Sequence, residues 1–420
     1  MKNRVVISLL CLMFAAGMVA CGTGTGTSSS ENNVTTQEVT EENSSSEATT
    51  SAIYEELTIK TDWDLKAEIT FSDSGMTIDG SGCTDQDGVL YITEGGAYTL
   101  TGSSTNASIL INTEENVKLI LNGVDLTSEV GPVIYGDQVK NLYIELAEGT
   151  TNTLADSDSY ETDSSTGEEI GKAVISCNDD IIILGEGTLN ITGNHNHVIA
   201  SDDKLYIEAG TINVTSNVKD GIKANDLVCI DGGTVNVTSS NEGIESENTL
   251  VINGGDITVN AVDDGINAGY YLEINGGTVT VTSSENDAID CNGGYDGCIT
   301  INDGEVNATG AGVPEGALDA DTYSVIINGG KVTATGGANS PIIENGGENN
   351  ITGETFTGGP GGGQGGPGGN GDFDPNNLPE DFDPGNMPEP PEGFESGERP
   401  EMPENADGQM PQKGQKSDTN

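Results

Sequence analysis

Acidic residues recur in this sequence at nearly fixed intervals. Asp220, Glu242, Asp264 and Asp287 are separated by 22, 22 and 23 residues, and Asp263 makes a double acid beside Asp264. Three positions after each come Lys223, Glu245, Asn267 and Asp290, with Asp319 continuing that series. A third set, Asp202, Asn225, Glu247, Asn292 and Asp321, follows a little further on, with Asp179, Asp203 and Asp226 beside it. If the repeats stack at β-sheet spacing, about 4.8 Å, these carboxylates come into register. Two unit charges at that distance repel by roughly 3–4 kcal/mol at an effective dielectric near 20. A cation between them removes the repulsion, and two oxygens each about 2.4 Å from one Ca2+ are about 4.8 Å apart. Mg2+ wants shorter bonds and keeps its waters, and the lack of His and Cys in the series argues against zinc and copper. The candidate metal ligands are therefore Asp220, Glu242, Glu245, Asp263, Asp264, Asn267, Asp287 and Asp290, with Ca2+ as the ion. The competing reading is a solvated acidic face, as for most charge runs.

Other residues offer different chemistry. Tyr270 and Tyr323 fall in the same turn two repeats apart, with Tyr271 and Tyr295 near them; aromatic rings so placed are candidate carbohydrate-binding platforms. Lys219 and Lys223 flank the acidic series. Either could serve as the base of a polysaccharide lyase that uses a cation against a uronate carboxylate, or simply balance Asp220 and Glu245. The two histidines, His195 and His197, leave little room for imidazole-based zinc or triad chemistry.

These residues need an element that repeats with them. The glycines supply its register: Gly187-Thr188, Gly210-Thr211, Gly233-Thr234, Gly255-Asp256, Gly277-Thr278, Gly304-Glu305 and Gly330-Lys331 are 23, 23, 22, 22, 27 and 26 residues apart. In that register one apolar column reads Ile182, Leu205, Val228, Leu250, Leu272, Ile299, Val325, and two residues on another reads Leu184, Ile207, Ile230, Ile252, Ile274, Ile301, Ile327. A second strand gives Leu189, Ile212, Val235, Ile257, Val279, Val306, Val332, and a third gives Ile199, Ile222, Ile244, Ile266, Ile289, Leu318, Ile342. Between the apolar positions of the second strand sit Asn190, Asn213, Asn236, Thr258, Thr280, Asn307 and Thr333, a ridge of neutral hydrogen-bonding groups. Period-two alternation with β-branched residues inside means half-buried strands. Three short strands per repeat, with Gly at the bends, specify an all-β parallel β-helix, a solenoid of three-strand coils of about 22 residues. One such coil cannot bury enough apolar surface to stand alone, so the coils stack. A propeller blade needs about 40 residues and does not fit.

Composition agrees. The chain has 420 residues, 60 of them Gly, and a formal charge of −55. That charge excludes a phosphate-backbone binder, so no nucleic-acid partner is expected. Five cysteines outside the N-terminal segment, Cys83, Cys177, Cys229, Cys291 and Cys298, are odd in number and form no C-x-x-C pair, which argues against a disulfide scaffold. Whether Cys291 and Cys298 pair is left open by their spacing.

Both ends differ from the repeats. Residues 1–20 read as a signal peptide, with Lys2 and Arg4 before an apolar run at 5–19 that is too short to span a bilayer. Met18-Val19-Ala20-Cys21 resembles the bacterial lipobox, with Met where Leu is usual. That resemblance implies lipidation of Cys21, a membrane-anchored lipoprotein on the extracellular face, and a polar tether over 21–52; plain secretion is the alternative. The repeat domain is assigned to 53–357, with its first coils and cap over 53–160 and a polar excursion at 156–171. The Gly/Pro-rich tail, 358–420, carries 13 acids and 3 bases and is expected to be disordered.

The runs Asp220-Gly221-Ile222-Lys223-Ala224, Asp263-Asp264-Gly265-Ile266-Asn267-Ala268, Leu119-Ile120-Leu121-Asn122-Gly123-Val124-Asp125-Leu126 and Leu146-Ala147-Glu148-Gly149-Thr150-Thr151-Asn152-Thr153-Leu154 are similar to those of a bacterial carbohydrate-binding domain family. Its members are clostridial-type surface proteins with a right-handed parallel β-helix like that of pectate lyases. The similarity covers about residues 60–350. It implies calcium in the stack and binding, without cleavage, of cellulose- or polygalacturonate-like polysaccharides. The family's calcium residues carry over most directly to Asp263, Asp264 and Asn267; Glu242-Gly243 and Asp287-Ala288 depart from its pattern in adjacent coils. Three functions follow for test: a non-catalytic polysaccharide binder, a calcium-dependent pectate lyase with Lys223 or Lys219 as base, and a structural envelope adhesin.

Overall fold

The computed structural model describes residues 57–353, apart from 163–166 and 313. The signal peptide, Cys21, the tether and the acidic tail lie outside the described residues. The described residues from Asp62 onward belong to one compact unit. Among the described residues there are 33 strands and no helix.

One coil illustrates the rest. Lys204–Ile207 forms the first strand, Thr211–Ser216 the second and Ile222–Ala224 the third, and Leu227–Ile230 begins the next coil. Each strand pairs in parallel with its counterpart one coil away. Leu205, Val228, Leu250 and Leu272 stack in the first ladder. Thr211, Thr234, Asp256, Thr278, Glu305 and Lys331 stack in the second. Ile199, Ile222, Ile244, Ile266, Ile289 and Leu318 stack in the third, an 11-stranded sheet. The inward Ile, Leu and Val of all three ladders are buried and form one continuous core. The parallel β-helix expected from the sequence is the fold found.

Among the strands described, antiparallel pairing is confined to the N-terminal end; a lone antiparallel bridge also joins Thr162 and Glu169. Leu65–Ser72 folds back on Gly75–Gly80, and Cys83–Gln86 on Val89–Ile92, so the first coil presents hairpins instead of an open ladder edge. The long strand Val117–Thr127 then turns the corner between two ladders: its first half pairs with Asn141–Leu146, its last residues with Thr151–Ala155.

The corners explain the glycine register. Gly233, Gly255, Gly277, Gly304 and Gly330 have φ of 82°, 95°, 83°, 98° and 78°, a region that L side chains rarely adopt. A Cβ on Gly277 would also meet the Gly255 carbonyl oxygen at 2.6 Å, so the close stacking of the bends itself excludes a side chain.

Two expected columns need correction. The residue under Leu205 is Ile181, not Ile182, and the residue under Ile207 is Ile183, not Leu184. The turn between Ile183 and Gly187 is one residue longer than that between Ile207 and Gly210, and a one-residue slip moves every side chain to the other face. Ile182 instead pairs with Tyr143 and Tyr206 on the outer side of that ladder, where Trp63 packs edge-on to Tyr143 at 4.9 Å. At the far end, Ile342 pairs with Val325 in the first ladder, and Ala338 takes the third-ladder place over Leu318. All five described cysteines are free thiols; Cys298 Sγ donates to the Cys291 carbonyl at 3.6 Å.

A column of asparagines at the first bend adds side-chain pairing to the backbone ladder. Asn253 Nδ2 donates to Asp231 at 2.6 Å, Asn275 to Asn253 at 2.9 Å, Asn302 to Asn275 at 2.7 Å, Asn328 to Asn302 at 2.7 Å and Asn345 to Asn328 at 2.8 Å. Each internal amide gives and takes one bond within the column, and Asn302 Nδ2 also donates to Glu273 at 2.8 Å. Asn275→Ala removes two of these bonds and orphans a donor and an acceptor, so it should cost about 1–3 kcal/mol. Asn345→Ala, at the end of the column, should cost less than half as much; chemical denaturation of the two variants checks the ratio.

Candidate functional site

The third ladder points Lys223, Glu245, Asn267, Asp290 and Asp319 outward in register, as their spacing predicts. At the turn before it stand Asp220, Glu242, Asp264 and Asp287, whose coils are joined by backbone bonds from Gly221, Gly243 and Gly265 to the carbonyls of Glu242, Asp264 and Asp287. The short three-residue strands and their preceding glycines bring the two acidic columns side by side.

Two groups of carboxylates result, each offering three oxygens within 4.8 Å of one another: Asp220 with Glu242 and Glu245, and Asp287 with Asp290 and Asp319. Asp220 is 2% exposed and Asp287 4%. Asp319, absent from the ligand set expected from sequence, therefore belongs to the second group. Asp264 and Asn267 lie between the groups and in neither: Asn267 Nδ2 donates to Asp264 Oδ2 at 3.0 Å, and Asp264 Oδ1 accepts from the Asp287 N–H at 3.1 Å. Asp263 is held by Asn286 Nδ2 at 2.7 Å and is likewise outside both. The three positions carried over most directly from the family resemblance are thus not where carboxylates converge.

The surroundings of the two groups differ. In the first, His197 Nδ1 lies 2.9 Å from Asp220 Oδ2, and Asn241 Nδ2 donates to Asp220 Oδ1 at 2.7 Å. His197 stands one coil before Asp220 in the same column, so the argument against zinc from a lack of nearby histidine does not hold for this group. Lys223 Nζ sits 2.6 Å from Glu245 and 3.3 Å from Glu247. Burial acts against the charge on Asp220, but hydrogen bonds from His197 and Glu242 outweigh it and keep this carboxyl ionised. Glu242 is pushed up to about 9 by burial and by Asp220, and Glu245 to about 7 by the same causes against the opposing Lys223. Burial disfavours the charged Lys223 amine, yet its pairing with Glu245 prevails and raises its pKa. A lyase base must be neutral; this amine is held protonated. Lys219 is exposed and contributes its backbone carbonyl to Ser239 at 2.9 Å.

The second group contains only oxygen donors. Gly316 N–H donates to Asp287 Oδ1 at 2.6 Å, Asn292 Nδ2 to Asp290 at 2.8 Å and Asp321 N–H to Asp319 at 2.7 Å. Burial, then the charges of Asp319, Asp264 and Glu315, pushes Asp287 up to about 8. Buried carboxylates that resist ionisation at neutral pH take either protons or a hard cation.

Of the four tyrosines, Tyr270 is 53% exposed and its ring lies 5.2 Å from that of Tyr295, tilted by 51°. Tyr323 is also exposed. Tyr271 is 6% exposed and stacks over Thr249 in the first ladder, so its ring is not available to a ligand and it leaves the candidate set.

The pKa of Asp287 gives a pH dependence with a definite sign. Its folded value, about 8, exceeds the ordinary 3.8, so the fold favours the protonated acid. The stability it contributes is complete below pH 4 and is lost as pH rises toward 8. In chelator, the thermal midpoint should fall between pH 5 and pH 8, and Asp287→Asn, which cannot ionise, should flatten that slope. A midpoint rising with pH would contradict the assignment.

Comparison with known proteins fits this geometry. A family model described as "Carbohydrate-binding domain-containing protein" matches residues 86–249 and 238–360. A "Carbohydrate-binding domain-containing protein" of Acetivibrio thermocellus is 32% identical over 141 residues, 33% of this chain and 49% of that protein, so the chain spans about half of that relative's length. Among solved structures, a "polysaccharide lyase-like protein from C. thermocellum", a gadolinium derivative, is 30% identical with a TM-score of 0.53, covering 57% of this chain and all of that one. With its parallel coils and a family model spanning well over half its length, this chain belongs to the carbohydrate-binding domain family.

Proposed function

We propose that this protein is a non-catalytic polysaccharide binder of the cell surface whose coils are held together by calcium. Membership of the carbohydrate-binding domain family carries the first part of that reading. The ion-paired state of Lys223 supports binding over cleavage, since elimination from a uronate needs a free base near the C5 proton. The name of the solved relative, polysaccharide lyase-like, makes lyase activity the second reading.

Calcium is supported by chemistry at Asp287, Asp290 and Asp319. Three carboxylates and no nitrogen, with oxygens all within 4.8 Å of one another, suit a hard ion with bonds of about 2.4 Å. Gadolinium, used to derivatise the solved relative, is another oxygen-seeking cation. The repeat region carries 51 acidic and 9 basic residues over 53–357, so a uronate chain would be repelled unless cations bridge it. Surface location rests on the lipobox-like segment ending at Cys21, which would anchor the domain through a lipid.

Retention of the protein on cellulose and on polygalacturonate tests the binding reading; failure on every polysaccharide tried would favour a structural adhesin. No unsaturated product should absorb in the ultraviolet when polygalacturonate and Ca2+ are supplied, and product that disappears in Lys223→Ala would establish the lyase instead. Calcium should raise the melting temperature, by mass action about 2.7 kcal/mol at 100 times Kd for one site. Asp287→Asn should remove most of that rise, and an unchanged melt on titrating Ca2+ would eliminate the metal.

A further inference from the structure

The third ladder carries a second feature, far from the acids and of opposite character. Val89–Ile92, Ser108–Asn112 and Ile134–Gln138 are its early strands, paired so that Tyr91 lies over Leu110 and Leu110 over Tyr135. Their neighbours Leu90, Ile92, Ile109 and Ile134 are buried inward, so these three side chains point out. They line a groove of about 160 Å³, walled on one side by Val130, Pro132 and Ile170. That is roughly ten times the space one water needs.

We propose that this groove is a binding site for a neutral, extended β-1,4-linked glycan, with Tyr91 and Tyr135 as two stacking platforms. The proposal rests on the polysaccharide-binding reading above and assigns it a place. The C–H face of a pyranose ring is apolar and weakly positive, matching the negative face of an aromatic ring. Tyr91 and Tyr135 stand two rungs apart, about 9.6 Å. In an extended β-1,4 chain alternate sugars turn the same face to one side, and the two-sugar repeat is close to this length. Leu110 fills the rung between, where the intervening sugar is flipped.

The platform is built before the ligand arrives. Asn178 Nδ2 donates to the Tyr135 hydroxyl at 3.3 Å and to the Asp137 carbonyl at 3.0 Å, and the same hydroxyl reaches Asp137 Oδ1 at 3.4 Å. A ring fixed at its far end loses little freedom on binding. The wall is tied as well: Glu161 N–H donates to the Val130 carbonyl at 2.8 Å, and Ile170 N–H to that of Glu161 at 2.9 Å. Charge selects the ligand. Glu161 is the charged residue lining the groove, so it can bond a sugar hydroxyl and would repel a uronate carboxylate.

Calorimetry of the mature protein with a soluble β-1,4-glucan hexasaccharide tests the site. Tyr91→Ala and Tyr135→Ala should each weaken binding roughly three- to tenfold. Tyr91→Phe, which keeps the ring, should bind like the parent, and retention on polygalacturonate with Ca2+ should be unchanged in all three. Parent-like affinity in both alanine variants would overturn this site and leave the polysaccharide-binding reading standing. A parent that binds neither the hexasaccharide nor any polymer would remove both. Should an alanine variant fail to fold, Leu110→Trp decides: its fluorescence should change on adding hexasaccharide, and an unchanged signal in that folded variant overturns the proposal.

Discussion

Everything in this protein follows from one constraint, that each residue lies about 4.8 Å from its equivalent in the coils on either side. A side chain must therefore be tolerable as its own neighbour. Isoleucine and valine meet that demand by packing. Asparagine meets it by chemistry, since one amide offers both a donor and an acceptor, and the column from Asn253 to Asn345 uses both at every internal step. Aspartate does not. Where the sequence stacks acids it has to place something between or beside them, and what it places differs along the column: His197 and Asn241 at Asp220, Lys223 at Glu245, Asn267 at Asp264, a backbone N–H at Asp287. The last of these is the weakest compensation for a group of three carboxylates, which is why the oxygen-only group is the better candidate for a cation.

The same constraint governs how much could be read in advance. The glycine bends gave the register directly, because both positive φ and the approach of the next bend exclude any other residue there. Alternation did the rest wherever polar residues separated the apolar ones. It failed at Ile181-Ile182-Ile183-Leu184, four apolar residues in a row, where the pattern carries no phase and one extra turn residue shifted the frame. It failed again at Ile342, because the last coil advances only 17 residues, from Lys331 to Glu348, and the chain reaches the first ladder sooner.

In the candidate site, register was legible and contact was not. That Lys223, Glu245, Asn267 and Asp290 share a column followed from counting, and the structure agrees. Which oxygens converge depends on side-chain direction, which counting does not give. Asp263 turns to Asn286, Asp264 to Asn267, and Asp319 joins a group from the edge of the series. His197 was within reach: it precedes Asp220 by 23 residues, one coil, and Val198 bonds to the Asp220 carbonyl. A count of the histidines in the chain does not reveal this contact; their place in the repeat does.

The outer face of the third ladder is divided by the same logic. Running along it from the early coils, Tyr91, Leu110 and Tyr135 give way to Ser176 and Ala200, and then to Lys223, Glu245, Asn267, Asp290 and Asp319. Tyr135 and Lys223 are three rungs apart, about 14 Å. At physiological ionic strength the Debye length is about 8 Å, so the field of the acids is largely spent before it reaches the tyrosines. The two proposed sites, one for uncharged sugar rings and one for cations, can then share one flat strip without interfering. A spacer built only to project would have no need of that division, since polar residues on every outward position would keep the same coils soluble.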